Sequence, residues 1–251
     1  MKVRFLGTGA SGGTPGTGRS GRFESSALVR DDVALMIDVT RSFRHQACWV
    51  DRLDAVLLTH GHRDAIGGVA ALGRWWRARG GDPIPVFAHP LTLARLESMF
   101  ARLDHCRLVP VEPAQPFRCG GLVVWALEVR HAADPSFPTF AWRLARDRTA
   151  VVYASDVARL THELERFSRG AMLLVLDGAM RGRSLFSHLR ADRTLPIVCD
   201  WDVGAIRLTQ IGRTAPPHER LERAVRALCP KARPAYDGLE LPIPGPSTNG
   251  R

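Results

Sequence analysis

The stretch Thr59-His60-Gly61-His62-Arg63-Asp64-Ala65 decides how this chain is read. It follows an apolar run, Ala55 to Leu58, of the kind that forms a buried strand. Where such a strand stops the chain is free to turn, so His60, His62 and Asp64 can converge on one point. Imidazole suits zinc and related ions, and a carboxylate accepts a harder ion or holds a metal's water. A polar loop with two unrelated histidines is the plain alternative. The tight spacing beside a strand end weighs against it.

Composition narrows the setting. A chain of 251 residues has room for one large α/β domain or two small ones, and for a substantial core. At 45% hydrophobic and 24% charged residues it has the make-up of a globular protein. No apolar run approaches the ~20 residues of a membrane span. Met1 to Gly9 lacks the apolar stretch of a signal peptide, so a cytoplasmic location with no membrane partner is expected. The formal charge is +10, and Lys2 and Lys231 are the only lysines. Arginine binds phosphate bidentately, and a basic balance favours polyanions in general. The arginines are scattered, however, which does not favour a nucleic acid over a small anionic substrate. Cys48, Cys106, Cys119, Cys199 and Cys229 form no Cys-x-x-Cys pair, and the odd set points to free thiols in a reducing compartment.

Along the chain, Val3 to Leu6 reads as a first strand, followed by a glycine-rich loop from Gly7 to Pro15. A phosphate cradle there would lack the Walker lysine. Ser25 to Val29 and Val33 to Ile37 read as a hairpin that ends at Asp38. Ile66 to Arg79 reads as a helix weakened at Gly67-Gly68, with Gly80-Gly81 as its C-cap. Pro85 to Ala88 is a short strand and Leu91 to Leu103 a helix. Leu122 to Val129 is a strand, and Phe140 to Leu144 pairs with Ala150 to Ala154 in a hairpin. Leu173 to Leu176 is a central strand and Glu219 to Leu228 a late helix. Residues 1–241 are expected to form one domain, and Pro242 to Arg251, rich in Pro, Gly and Ser, a disordered tail. The pattern alone says α/β or α+β.

The histidine stretch resembles the His-x-His-x-Asp-His signature of the metallo-β-lactamase superfamily. Within it, the chain looks closest to PhnP-like phosphodiesterases and tRNA 3′-processing nucleases. The resemblance covers nearly the whole chain and implies a four-layer αββα sandwich. It assigns further positions. His131 matches the third histidine, Asp156 the bridging aspartate, and Asp38 a support behind the metal loop, although a plain strand-end turn residue is an equal reading. His188 looks like the histidine near the leaving group in related phosphodiesterases. Two positions depart from the family. Ala65 stands where the signature ends in His, and Gln210 stands in Leu208-Thr209-Gln210-Ile211 where the family has Leu-Thr-His. The cysteine-bound zinc that some PhnP-like proteins carry is not expected, since Gly13 to Arg22 holds no cysteine.

Counting ligands by that resemblance, one metal takes His60, His62, His131 and Asp156, a good set for zinc, with manganese as the second choice. The other takes Asp64 and Asp156, but Ala65 offers nothing and Gln210 at most an amide oxygen. Both losses fall on one half-site, so one metal is expected, with the second weak or absent. The implied function is a metal-dependent hydrolase acting on a small phosphodiester, a cyclic one included. Asp64 would orient the attacking water and His188 would protonate the leaving group. The alternatives are a catalytically weak or inactive binding protein, and a nuclease on RNA. A homodimer is left open.

Overall fold

The computed structural model describes residues 1–131, 137–179 and 187–244. Among these the first sheet is built from β1 (Lys2–Gly7), β2 (Ser26–Arg30), β3 (Ala34–Ile37), β4 (Ala55–Leu57), β5 (Ile84–Ala88), β6 (Cys106–Pro110) and β14 (Glu240–Pro242). The second contains β7 (Phe117–Cys119), β8 (Leu122–Val129), β9 (Thr139–Arg146), β10 (Thr149–Ala154), β11 (Ala171–Asp177), β12 (Val203–Thr209) and β13 (Ala232–Pro234). The helices are α1 (Phe43–Gln46), α2 (Arg63–Ile66), α3 (Val69–Arg77), α4 (Pro90–Met99), α5 (His162–Ser168), α6 (Ala191–Cys199) and α7 (His218–Leu228).

The sheet orders are β14-β1-β2-β3-β4-β5-β6 and β13-β12-β11-β10-β9-β8-β7. Each sheet starts antiparallel and turns parallel where helices enter as crossovers, at β3–β4 in the first and at β10–β11 in the second. Period-two alternation explains the layering. Leu35 and Ile37 of β3, Val151 and Tyr153 of β10, and Leu173 and Val175 of β11 face the other sheet and form the central core. Their neighbours face outward. Met36 and Val56 lie under α1 to α4 with Phe43, Ile66, Leu72 and Leu96. Val152, Leu174 and Leu176 lie under α5 to α7 with Leu164, Leu195, Leu221 and Val225. Strands buried on both faces read as continuous apolar runs, which is why β4, β10 and β11 stood out in the sequence. The product is the four-layer αββα sandwich. Truncating a central leucine such as Leu57 to Ala would cost about 2–5 kcal/mol.

Three expectations move. The helix expected over 66–79 is two helices, α2 and α3, broken at Gly67-Gly68. There the chain crosses the segment after β3: Gly68 N–H donates to Val39 O at 2.8 Å. A Cβ at Gly68 would lie 1.9 Å from Thr40 O, so the close approach demands glycine. The helix expected to reach Leu103 stops at Met99. The tail boundary also shifts, because Pro242 pairs with Lys2 and Ile243 is buried, its N–H donating to Met1 O at 2.9 Å. Ile243 is apolar and finds a seat beside β1, which a composition argument overlooks. The rest of the expected tail, 245–251, lies outside the described residues.

Trp75 and Trp76 are adjacent on α3 and cannot both face the core, so they divide. Trp75 packs edge-on against Phe43 at 5.9 Å, and Trp76 Nε1 donates to Asp82 O at 3.1 Å, covering the loop after α3. No helix among the described residues is long and apolar enough to cross a membrane.

Candidate metal centre

The strands end at one edge of the sandwich, and the polar residues gather there. Asp38 follows β3 and His60 follows β4, while His131, Asp156 and Gln210 follow β8, β10 and β12. The two sheets are tied at this edge, where Phe140 N–H donates to Thr59 O at 2.8 Å.

Asp38 supports the histidine loop from behind. It is buried and holds a left-handed backbone, φ 62°, which a non-glycine residue adopts at a cost. The conformation aims its carboxylate at Thr59. Asp38 Oδ1 accepts the Thr59 N–H at 2.8 Å, and Thr59 Oγ1 lies 2.8 Å from Asp38 Oδ2. Burial pushes the Asp38 carboxyl well above its usual range, and the bonds from Thr59 work against that push. Thr59 Oγ1 is also 2.8 Å from His60 Nδ1. A hydroxyl that donates its one proton to Asp38 must accept from His60, which puts the imidazole proton on Nδ1 and leaves Nε2 bare.

That Nε2 is buried and has no hydrogen-bond partner. The ligand atoms of His60, His62 and His131 all lie within 4.8 Å of one another. His62 caps α2 in an extended backbone conformation, and its ring stacks on Phe137 at 4.4 Å. His131 Nδ1 lies 2.7 Å from Ser187 O, a bond that only an N–H can make, so its Nε2 is also bare. Burial pushes His60 down to about 3 and lowers His62 as well. Imidazole nitrogens gathered round one point, one of them buried without a partner, fit a divalent cation.

His131, Asp156 and His188 form an overlapping group, again with ligand atoms within 4.8 Å of one another. Asp156 is buried, receives Ser155 Oγ at 2.6 Å, and lies 3.8 Å from His131 Nε2. Burial works to raise its pKa, but the positive charge of His188 and the bond from Ser155 hold it below the ordinary carboxylate value. His188 Nδ1 sits 2.6 Å from Asp177 Oδ2. Asp177 is fully buried and is fixed in turn by Ala179 N–H, at 3.1 Å. Burial disfavours the imidazolium, yet the bond to Asp177 and the negative charge there push His188 up to about 9.

The second half-site looks different. Asp64 Oδ1 is 3.9 Å from His60 Nε2, and burial followed by the Asp156 charge pushes Asp64 up to about 6. Ala65 is buried in the core under the first sheet. Gln210, left-handed at φ 53°, turns its amide onto Asp156: Nε2 donates to Asp156 Oδ1 at 2.8 Å. Its Oε1 is buried without a partner. One lone pair of Asp156 Oδ1 is thus taken by an amide donor, and Oδ2 by Ser155 Oγ.

Residues 35–226 match the model of the β-lactamase superfamily domain. The chain belongs to the metallo-β-lactamase superfamily. Among curated relatives, it is 27% identical over 270 residues to an octanoyltransferase from Porphyromonas gingivalis (strain ATCC BAA-308 / W83), covering 97% of this chain and 52% of that protein. The chain thus spans about half the length of that relative. It is 25% identical over 301 residues to ribonuclease Z from Bradyrhizobium sp. (strain ORS 278), covering 97% of this chain and 100% of the relative. Among solved structures, a diphosphatase of the PhnP family superposes with a TM-score of 0.82 at 23% identity, over 97% of this chain and 98% of that one. Zinc-bound PqqB from Methylobacterium extorquens gives 0.81 at 22% identity, over 97% and 100% of the two chains. The superfamily fold binds divalent metals, and most members are metal-dependent hydrolases.

The structure therefore brings His60, His62, Asp64, His131, Asp156 and His188 to one edge of this metallo-β-lactamase fold. The other histidines are otherwise engaged. His89 caps α4, accepting Leu91 N–H at 3.1 Å, and His105 Nε2 meets Val69 O at 3.1 Å. His45 stacks on Phe23, His218 Nδ1 meets Arg22 at 3.0 Å, and His162 is exposed. Sequence reading missed Thr59, Ser155, Phe137 and Arg95. Thr59 and Ser155 each precede a ligand, which is a usable signal. Phe137 and Arg95 carry none. A cavity of ≈ 600 Å³ lined by Thr14, Arg22, Phe23, Trp49 and Asp237 contains none of the candidate ligands. Its charged groups are spent internally, Arg22 on Thr8 at 2.7 Å and Asp237 on Thr8 at 2.8 Å.

Proposed function

We propose that this protein is a phosphodiesterase that uses one tightly held divalent metal, zinc in the first instance and manganese in the second, on a small phosphodiester. His60, His62, His131 and Asp156 would hold the metal. When bound, it supplies Lewis-acid charge and lowers the pKa of water. Asp64, beside this set and pushed up to about 6, orients the attacking water and takes up its proton. His188 gives a proton from Nε2 to the departing alkoxide while Asp177 holds its Nδ1–H. After transfer the imidazole is neutral and Asp177 keeps it in the tautomer that can be recharged. The two sheets act as one catalytic domain, because each supplies ligands.

The observation that carries this reading is the Asp177–His188 pair beside the metal ligands. A fourth imidazole, kept charged by a buried carboxylate, is superfluous for holding a cation, and it is what a poor leaving group needs. Free cysteines at all five positions agree with a cytoplasmic location.

The test is metal analysis of protein purified without added metal, followed by turnover of bis(p-nitrophenyl) phosphate before and after chelation. Chelator-sensitive turnover with about one metal per chain is expected. Bound metal with no turnover of any phosphodiester would make the protein a binding relative instead. A second reading, a nuclease on structured RNA, is favoured by the full-length match to ribonuclease Z. Cleavage of a tRNA precursor faster than of small diesters would select it.

A further inference from the structure

Arg95, on α4, is pinned against the histidine loop. Its stem crosses Gly61, where an added Cβ would meet Arg95 Cδ at 2.9 Å. Its Nε donates to Gly61 O at 3.0 Å. The guanidinium carbon lies 4.5 Å from the centroid of the Phe137 ring, the ring that stacks on His62. These contacts fix the guanidinium and use only one of its donors. Among the described residues, Nη1 and Nη2 make no hydrogen bond and no ion pair, and the residue is exposed.

An arginine beside a cluster of metal ligands is electrostatically unfavourable. Arg41 pairs with Glu24, Arg146 with Asp31 and Arg190 with Asp192, whereas among the described residues Arg95 has no acidic partner. A fork of donors held rigid, unpaired and next to a cation-binding cleft is complementary to an anionic group that feels both charges. In the proposed mechanism the scissile diester sits at the metal ligands, and the Arg95 fork lies across Phe137 and Gly61 from His62, outside that ligand set.

We propose that Arg95 is a specificity residue whose Nη groups hold a second anionic group of the substrate, a phosphate monoester or a carboxylate, outside the scissile diester. This rests on the phosphodiesterase reading for its substrate and on Arg95 alone for its recognition.

The test uses the metal-loaded full-length protein with adenosine 2′,3′-cyclic phosphate carrying a 5′-hydroxyl, a 5′-phosphate or a 5′-carboxylate. A charge-assisted hydrogen-bonded pair should lower KM for an anionic form by about 10–100-fold relative to the hydroxyl form, with similar kcat. Arg95→Met should erase that ratio, and Arg95→Lys, which keeps the charge without the fork, should retain part of it. A gain with the 5′-phosphate alone assigns a phosphate subsite, and a gain with both assigns a general anion subsite. Equal KM for all three in the unaltered protein, or a ratio that survives Arg95→Met, overturns the proposal. If none of the three is turned over, these nucleotides are not substrates, turnover of bis(p-nitrophenyl) phosphate decides the phosphodiesterase reading, and binding decides for Arg95. Calorimetry should then give adenosine 3′,5′-bisphosphate about 10–100-fold tighter than adenosine 3′-monophosphate, lost in Arg95→Met, and equal affinities overturn the proposal.

Discussion

Gln210 Nε2 donates to Asp156 Oδ1 at 2.8 Å, the same oxygen that lies 3.8 Å from His131 Nε2, while Ser155 Oγ donates to Oδ2. At the expected second half-site Ala65 is part of the core and Gln210 is a hydrogen-bond donor. Gln210→His replaces that donor by a group with a lone pair. The double change with Ala65→His should raise metal content from about one towards two per chain, by elemental analysis. Ala65 is buried, so the added ring should also cost about 1–3 kcal/mol of stability through overpacking. Unchanged stoichiometry in a folded double variant would mean that the half-site is closed by more than these two residues.

Thr59 ties Asp38 to His60 through one hydroxyl. Thr59→Val keeps the shape and removes the link. His60 loses its orienting partner, and Asp38 keeps only the Thr59 N–H. Outer-shell partners of metal-binding histidines typically contribute ~10–100-fold to metal affinity, and a loss in that range is expected in a competition titration with a chelating dye. His62→Ala, which deletes a ligand outright, should lower occupancy further. Equal metal affinity of Thr59→Val and the unaltered protein would remove Thr59 from the support of the site.

How much of this was legible in the sequence follows from local rules. β4, β8, β10 and β11 carry unbroken or alternating apolar runs, and each was readable. β12, which delivers Gln210, was not, because Gly204 and Arg207 interrupt its pattern. Gly204 is there for Met172: an added Cβ would come within 2.8 Å of Met172 O on the neighbouring strand. α6 was hidden by Pro196 inside it. At the site, His60, His62 and Asp64 were visible from type and spacing, and His131, Asp156 and His188 through the family resemblance. The Gln210 amide on Asp156 and the Arg95 stem over Gly61 join residues far apart in the chain, and only the folded packing reveals them.

The ligand set also sets the acid limit of the metal-free protein. His60 is pushed down to about 3 in the folded state by burial, whereas an unfolded histidine titrates near ~6.5. The unfolded chain therefore takes up the proton first as pH falls. The stability from a neutral, buried His60 is fully present above ~6.5 and is lost as pH drops below it, by up to ~1.4 kcal/mol per pH unit. Urea unfolding of chelator-treated protein at pH 7 and pH 5 should show this slope. His60→Gln should flatten it, and a slope unaltered in that variant would assign it to other groups.

The Asp177–His188 pair gives the last prediction, which separates an acid catalyst from a ligand. His188 is pushed up to about 9 despite burial, because its Nδ1 lies 2.6 Å from the Asp177 carboxylate. At neutral pH it is thus charged and able to give a proton from Nε2. A p-nitrophenolate needs no such help, whereas an alkoxide does. General acid catalysis contributes typically ~10²–10⁴-fold, so His188→Ala should lose about that much on alkyl phosphodiesters and little on bis(p-nitrophenyl) phosphate. In the unaltered protein, alkyl diester turnover should fall as pH rises through 9, where His188 gives up its proton, and p-nitrophenyl ester turnover should not follow. Asp177→Asn removes the charge that favours the imidazolium and should move that fall to lower pH. Equal loss on both substrates in His188→Ala, with metal content intact, would make His188 a binding or structural residue. Loss of the metal itself would make it a ligand, drawn in through the group it forms with His131 and Asp156.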